Sequence, residues 1–443
     1  ELPELVETRP STTRASSVIG GPADFATEAS ASGNLKPVPK LAWHAKDFCK
    51  SLAGYIRIPE DDVDQPETSP ESSHRRLWIP AEDDEQPWLH KLSILGGAAK
   101  SVAISSDGTL LIAGDDSNNI TTWDITNTTT RYEEPRQKHV RTCPGRNGIE
   151  SISYSEQEPP IFVSAGDNGT ICLWNATTGA IIGETFCRAT SVSISRDGTL
   201  IAAATYSSCN VYDIRLPDRA EEAPFELACR WLHRFQDTRM PCCVDVSPES
   251  RMVATGQHLN QGEHIEGSVT LFDAVTGVLA MDLACSGPVN CVRFCSDGER
   301  IVSGDHSNAL IVWDVTSGSR LLQMACNGPV TCVDVSRDDV YLASGDHNGM
   351  LTVWDLKTGE PLREMKCPGS VLSTIMSADA SMVMGATKSQ LVVWDRESSV
   401  SLRTISYDSL EHGQISASSD LGRVAISSSE GLLMMRVQAS AKA

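Results

Sequence analysis

No run of about 18 apolar residues occurs anywhere in the chain, so no segment has the makeup of a membrane-spanning helix. Basic residues are scarce: 37 lysines and arginines stand against 58 aspartates and glutamates, a net charge of −21. A chain this acidic repels phosphate backbones and anionic lipid, which makes nucleic acid and membrane surfaces poor partners. No Gly-x-Ser-x-Gly elbow marks a serine nucleophile. No glycine-rich loop followed by Lys-Ser or Lys-Thr is present to cradle phosphate. No catalytic residue and no cofactor is therefore expected. Cysteine, by contrast, is plentiful, at 14 residues. Most sit inside apolar strand-like runs (Cys172, Cys243, Cys291, Cys332) or just after one (Cys187, Cys285, Cys326, Cys367). That placement suits small buried residues in a reducing intracellular compartment better than disulfide staples. The compartment expected is the cytoplasm by default, or an organelle if a leader was removed.

What the chain has in quantity is one short pattern. Five apolar runs end in tryptophan followed by Asp or Asn, at Trp123, Trp174, Trp313, Trp354 and Trp394. Three more end in degenerate copies, at Tyr212-Asp213, Phe272-Asp273 and Met434-Met435. The last three tryptophans recur at intervals of 41 and 40 residues, the mark of a repeat array. One unit reads Pro288–Gly298, Arg300–Asp305, Ala309–Asp314 and Arg320–Cys326. These are four short segments rich in β-branched and aromatic residues, parted by Ser-Asp-Gly and Ser-Gly turn signals. The next unit, from Val330 to Cys367, repeats it.

Over residues 89 to 437 these units resemble the WD-repeat family, which implies an all-β fold of four-stranded blades arranged as a β-propeller. First strands are expected near Ser101, Glu150, Ser191, Cys242, Asn290, Thr331, Val371 and Gln414. The last unit has only three strands before the chain ends. Residues 89–95 would supply the fourth and close the ring, which removes open sheet edges. Eight blades are therefore predicted over 89–443. Seven is the alternative if the unit containing Tyr212 forms no full blade. The five tryptophans are read as core residues of third strands.

The family pattern also implies a buried network of histidine, aspartate, serine or threonine, and tryptophan. Here the Gly-His pair is replaced by sequences such as Cys285-Ser-Gly-Pro288, and the position six before the tryptophan is Ser117, Asn168, Ser307 or Asn348. An aspartate kept without its histidine would be a costly buried charge. The blades are therefore expected to be held mainly by apolar packing and strand ladders.

Asp305-His306 and Asp346-His347 fall at the same place in adjacent units, with Asp115-Asp116 at the matching place in the first. They are candidates for a polar partner-binding rim. Cysteine, histidine and carboxylate together could ligate zinc. Repeat-equivalent residues, however, lie a blade apart, too far for one metal, and aspartate is favoured in turns for bonding its own backbone. His258, Glu263 and His264 lie in an insertion between the second and third strands of the fourth unit, a natural partner contact.

Residues 1–88 read as an extended tail, rich in Ser, Thr, Pro, Glu and Asp. A short amphipathic helix near 41–56 is predicted within it. Trp43, Phe48, Leu52, Trp78 and Trp88 are its candidate anchors. The function these readings support is a non-catalytic scaffold that meets other protein subunits through its tail, insertions and faces. Two alternatives stand beside it. Tyr212-Asp213-Ile214-Arg215 is similar to the Trp-Asp-x-Arg box of substrate receptors in cullin ubiquitin ligases. A propeller carrying a metal or small-ligand site is the other.

Overall fold

A computed structural model describes residues 89–436, apart from 95–96, 129–133, 145–147, 156, 167–168, 207, 215–228, 237–239, 262–263, 408–413 and 429–430. Every helix or strand among the described residues is a strand. Thirty-two strands form eight four-stranded antiparallel sheets. Numbered along the chain, blades 1 to 8 begin with first strands Ala99–Ile104, Ser151–Ser155, Ala189–Ile194, Met240–Val246, Val289–Phe294, Val330–Val335, Ser373–Met376 and Ile415–Ala417. The eight blades expected are found. The unit with Tyr212 is a complete blade, its fourth strand running over Cys229–Gln236, which disposes of the seven-blade alternative.

Seven sheets are meanders of four consecutive strands. The eighth joins the two ends of the described chain: strand Leu89–Leu92 pairs with Gly431–Arg436, from Leu89 opposite Met435 to Leu92 opposite Leu432. The core is correspondingly divided. Eight apolar clusters each lie between two successive blades, and one of them joins Leu432 and Met434 of blade 8 to Leu111 and Trp123 of blade 1. Stability thus comes from interfaces between blades, since a four-stranded sheet alone cannot bury both its faces.

Turns are fixed by local chemistry. Six blades place a serine at the end of the first strand, and its hydroxyl accepts the amide of the residue opening the second. Examples are Ser105 with Leu110, Ser195 with Leu200 and Ser247 with Met252, each at 2.9 Å. The turns from first to second strand and from third to fourth share one face, called lower here. The turns from second to third strand and the links between blades share the upper face.

Blade 4 differs from the sequence reading. The insertion expected as a turn is strand. Met252–Gln261 and His264–Asp273 run ten residues each, against six in most second and third strands. They stay paired from Met252–Asp273 out to Gln261–His264. The polar insertion carries no alternating pattern, but ladder bonds need only backbone groups. Beyond His258 and Gly267 the two strands pair only with each other among the described residues, forming an arm on the upper face. The predicted helix at 41–56 and the candidates Trp43, Phe48, Leu52, Trp78, Trp88, Glu263 and Arg215 lie outside the described residues.

Candidate functional site

The upper-face turns do bring the repeated Asp-His pairs beside the links between blades. The amide of His306 donates to Pro288 O at 2.8 Å, and that of His347 to Pro329 O at 2.9 Å. Their carboxylates, however, do not form a rim. Asp115, Asp305 and Asp346 are buried, at 0%, 1% and 3% exposure. Each accepts amides of its own turn: Asn119 N at 2.7 Å for Asp115, Ala309 N at 2.8 Å for Asp305, Met350 N at 2.7 Å for Asp346. These three aspartates hold the turns and are too deep to touch a partner, whereas Asp116 is exposed. Burial raises the pKa of Asp305, against the pull of the Ala309 and Ser307 amides. His347 Nδ1 meets Ser370 Oγ at 3.3 Å. At the matching place beside His306 stands Pro329, which has no side-chain donor, and His306 Nδ1 is buried without a partner among the described residues. His258 and His264 lie on the two strands of the arm. Among the described residues no three His, Cys, Asp or Glu side chains are grouped to hold a metal ion.

Three of the five tryptophans carry a polar contact in addition to their apolar packing. Trp174, Trp313 and Trp354 donate through Nε1 to Ser164, Ser303 and Ser344, at 2.9, 2.9 and 2.8 Å. Each serine also touches a thiol of the preceding blade: Cys143 at 3.8 Å, Cys285 at 4.0 Å and Cys326 at 3.9 Å. A cysteine therefore stands where the family pattern has histidine. Burial pushes the Cys285 thiol up to about 12 and the Cys326 thiol to about 11, so both stay neutral at physiological pH. A neutral thiol supplies a weak hydrogen bond without a buried charge, consistent with the missing aspartate.

The sequence reading missed the site at the centre of the ring. Register places one residue of every first strand at the same level: Ala103, Ser153, Ser193, Asp245, Arg293, Asp334, Ile375 and Ser416. Several bridge to the following blade. Asp245 accepts Phe294 N at 2.9 Å, Asp334 accepts Met376 N at 2.8 Å, Ser153 accepts Ile194 N at 3.2 Å and Ser416 accepts Ile104 N at 2.9 Å. Between the two aspartates sits Arg293, 3.5 Å from Asp334. Its side chain is 52% exposed, but to the channel that the strands enclose. Burial raises the pKa of both Asp245 and Asp334, and Arg293 opposes that rise. The channel widens beside blades 1, 2, 6, 7 and 8 into a cavity of about 740 Å³ lined by groups such as Ser153, Tyr154, Asp334 and Ser416. The signal was present in Val244-Asp-Val246, Val292-Arg-Phe294 and Val333-Asp-Val335: one repeat position carrying charges of alternating sign in three successive units.

The lower face is acidic and stays so. Asp273, Asp314 and Asp355 accept amides of their own turns, chiefly from Thr276, Ser317 and Thr358, and these bonds hold their carboxyls below the usual range.

Eight blades around a central channel, closed by pairing of Leu89–Leu92 with Gly431–Arg436, define a β-propeller. A family model described as outer membrane protein assembly factor BamB matches residues 78–365, and the chain belongs to that propeller family. This is a different propeller family from the one its Trp-Asp endings resemble. No curated protein matches the chain. Among solved structures, the crystal structure of the computationally designed Ika8 protein is similar over 79% of this chain and 98% of its own, with a TM-score of 0.62 and 17% identity. At that identity the likeness is one of fold alone. No helix among the described residues is long and apolar enough to cross a membrane.

Proposed function

We propose that the protein is a non-catalytic scaffold, a propeller subunit that docks other proteins within a larger assembly. The observation that carries this reading is the blade 4 arm. Two strands project past the sheet that anchors them, with backbone groups along both edges, and a protruding ribbon is suited to engage another chain. The family's description names an assembly factor, which supports a role among other proteins. The Trp-Asp endings support a WD-type repeat as the unit from which the ring is built. Among the described residues twelve cysteines are free, which favours a reducing compartment. Crosslinking mass spectrometry on native extract tests the proposal. Crosslinks from the propeller to other proteins are expected, and they should be lost from the upper face of blade 4 when residues 258–266 are replaced by a short Asn-Gly turn. Recovery of the protein only as a free monomer sinks the reading.

A further inference from the structure

Every blade ends in an outer strand, and that of blade 1, Arg136–Thr142, is the most basic, ahead of that of blade 3, Cys229–Gln236, whose sequence holds Arg230, His233 and Arg234 and likewise no acidic residue. It carries Arg136, Lys138, His139 and Arg141 and no acidic residue, in a chain with a net charge of −21. Elsewhere basic side chains are fewer or offset. The outer strand of blade 2 has Glu184, that of blade 4 has Asp282, and that of blade 6 sets Glu364 between Arg363 and Lys366. In blade 5 Arg320 is spent on the Trp313 ring, 5.0 Å from its centroid.

The charges on this strand are only weakly satisfied. Lys138 lies 3.6 Å from Asp124, a long surface contact of little worth. Among the described residues no carboxylate is paired with Arg136 or Arg141. Along its inner edge the strand is fully laddered, from Asn119–Thr142 to Asp124–Arg136. Along its outer edge no described strand follows it. An open edge with same-sign side chains offers an incoming strand both backbone partners and charge complementarity. Lysines and arginines can also simply guard an edge against self-pairing. Most other outer edges of this ring lack such a concentration, so guarding alone does not account for it.

We propose that the outer edge of blade 1, Arg136–Thr142, is a docking strand for an extended acidic segment of a partner protein. This names a partner chemistry for the scaffold reading on which it rests. Ladder bonds to the edge give the segment its register, and its carboxylates face Arg136, Lys138 and Arg141.

The probe is a synthetic peptide alternating glutamate with threonine and valine, added to the full chain and followed by fluorescence anisotropy and amide hydrogen exchange. Binding is expected, weaker as salt rises, with slower exchange at the amides of 136–142. The triple variant Arg136→Gln/Lys138→Gln/Arg141→Gln should bind at least about tenfold more weakly. The control Arg363→Gln/Lys366→Gln in blade 6 should bind as the native chain does. Absence of binding, equal loss in the control, or binding without protection of the 136–142 amides each overturns the proposal. The scaffold reading is separable from it. Crosslinks in extract that fall on the blade 4 arm but never on blade 1 would leave the scaffold standing and remove this docking strand.

Discussion

Among the described residues Arg293 is the one cation at its level of the channel, and the two carboxylates beside it depend on it. Replacing it with methionine leaves Asp245 and Asp334 confined with only amide and hydroxyl donors. Arg293→Met should cost about 1–2 kcal/mol at neutral pH, a figure reduced from that of a buried pair because the arginine side chain is half exposed to the channel. The sign of the pH dependence follows from the raised folded-state pKa of both aspartates. An acid with a raised folded pKa binds more protons folded than unfolded between the two values, so stability falls as pH rises through that window. Removing the arginine raises both further. The deficit of the variant should therefore be largest near pH 7 and shrink toward pH 4, as read by urea unfolding at the two pH values. An equal deficit at both would mean that Arg293 acts through packing alone. At this scale the sequence was only partly legible. Asp305 and Asp346 look like surface turn residues because short polar side chains dominate both exposed turns and buried turn caps. Only neighbours from the adjoining link show which they are.

At the level of the element, the turns were the most readable part. Ser-Asp-Gly after an apolar run marked the first-to-second-strand turn correctly in blade 1 (Ser106–Gly108) and blade 5 (Ser296–Gly298), because aspartate and glycine each do a distinct job there. Gly298 has φ +69°, and a Cβ added to it would lie 3.6 Å from Glu249, in ordinary contact. Gly298→Ala should then lose about 1 kcal/mol from the left-handed backbone alone, seen as a lower denaturant midpoint with an unchanged slope. Ala380 and Leu421 take the same turn position at φ 53° and 52°, so the ring can impose this conformation on side chains that resist it. The blade 4 arm was less legible. Its composition is that of a loop, and the strands persist because each residue continues a ladder already begun at Met252 and Asp273.

For the whole molecule, the count of eight came from counting the first strand of each unit, where spacing, turn residues and Trp-Asp endings agree, and from the need of the ring to leave no strand over. The channel was hidden for a related reason. The middle residue of Val-Asp-Val reads as the solvent side of a half-buried strand, and only closure turns that side inward. Closure also concentrates risk at one place. Deleting Leu89–Leu92 removes the outer strand of blade 8 and leaves Gly431–Arg436 as an open edge. The truncated chain should melt several degrees lower and form concentration-dependent oligomers by light scattering. A monomer with unchanged melting would show that blade 8 holds without its fourth strand.

The pairing of Leu89–Leu92 with Gly431–Arg436 also sets a clock. During synthesis the early strand emerges some 340 residues before its partner. At roughly 5–20 residues per second it waits some 20–70 s on the ribosome. Blades 1 to 7 can be assembled in that interval as an open arc, but the cluster between blades 8 and 1 cannot form. Until that partner emerges, the arc exposes Leu111 and Trp123 on one flank and the unpaired early strand beside them. The nascent chain is therefore most exposed to holding chaperones and to proteases just before Gly431–Arg436 emerges.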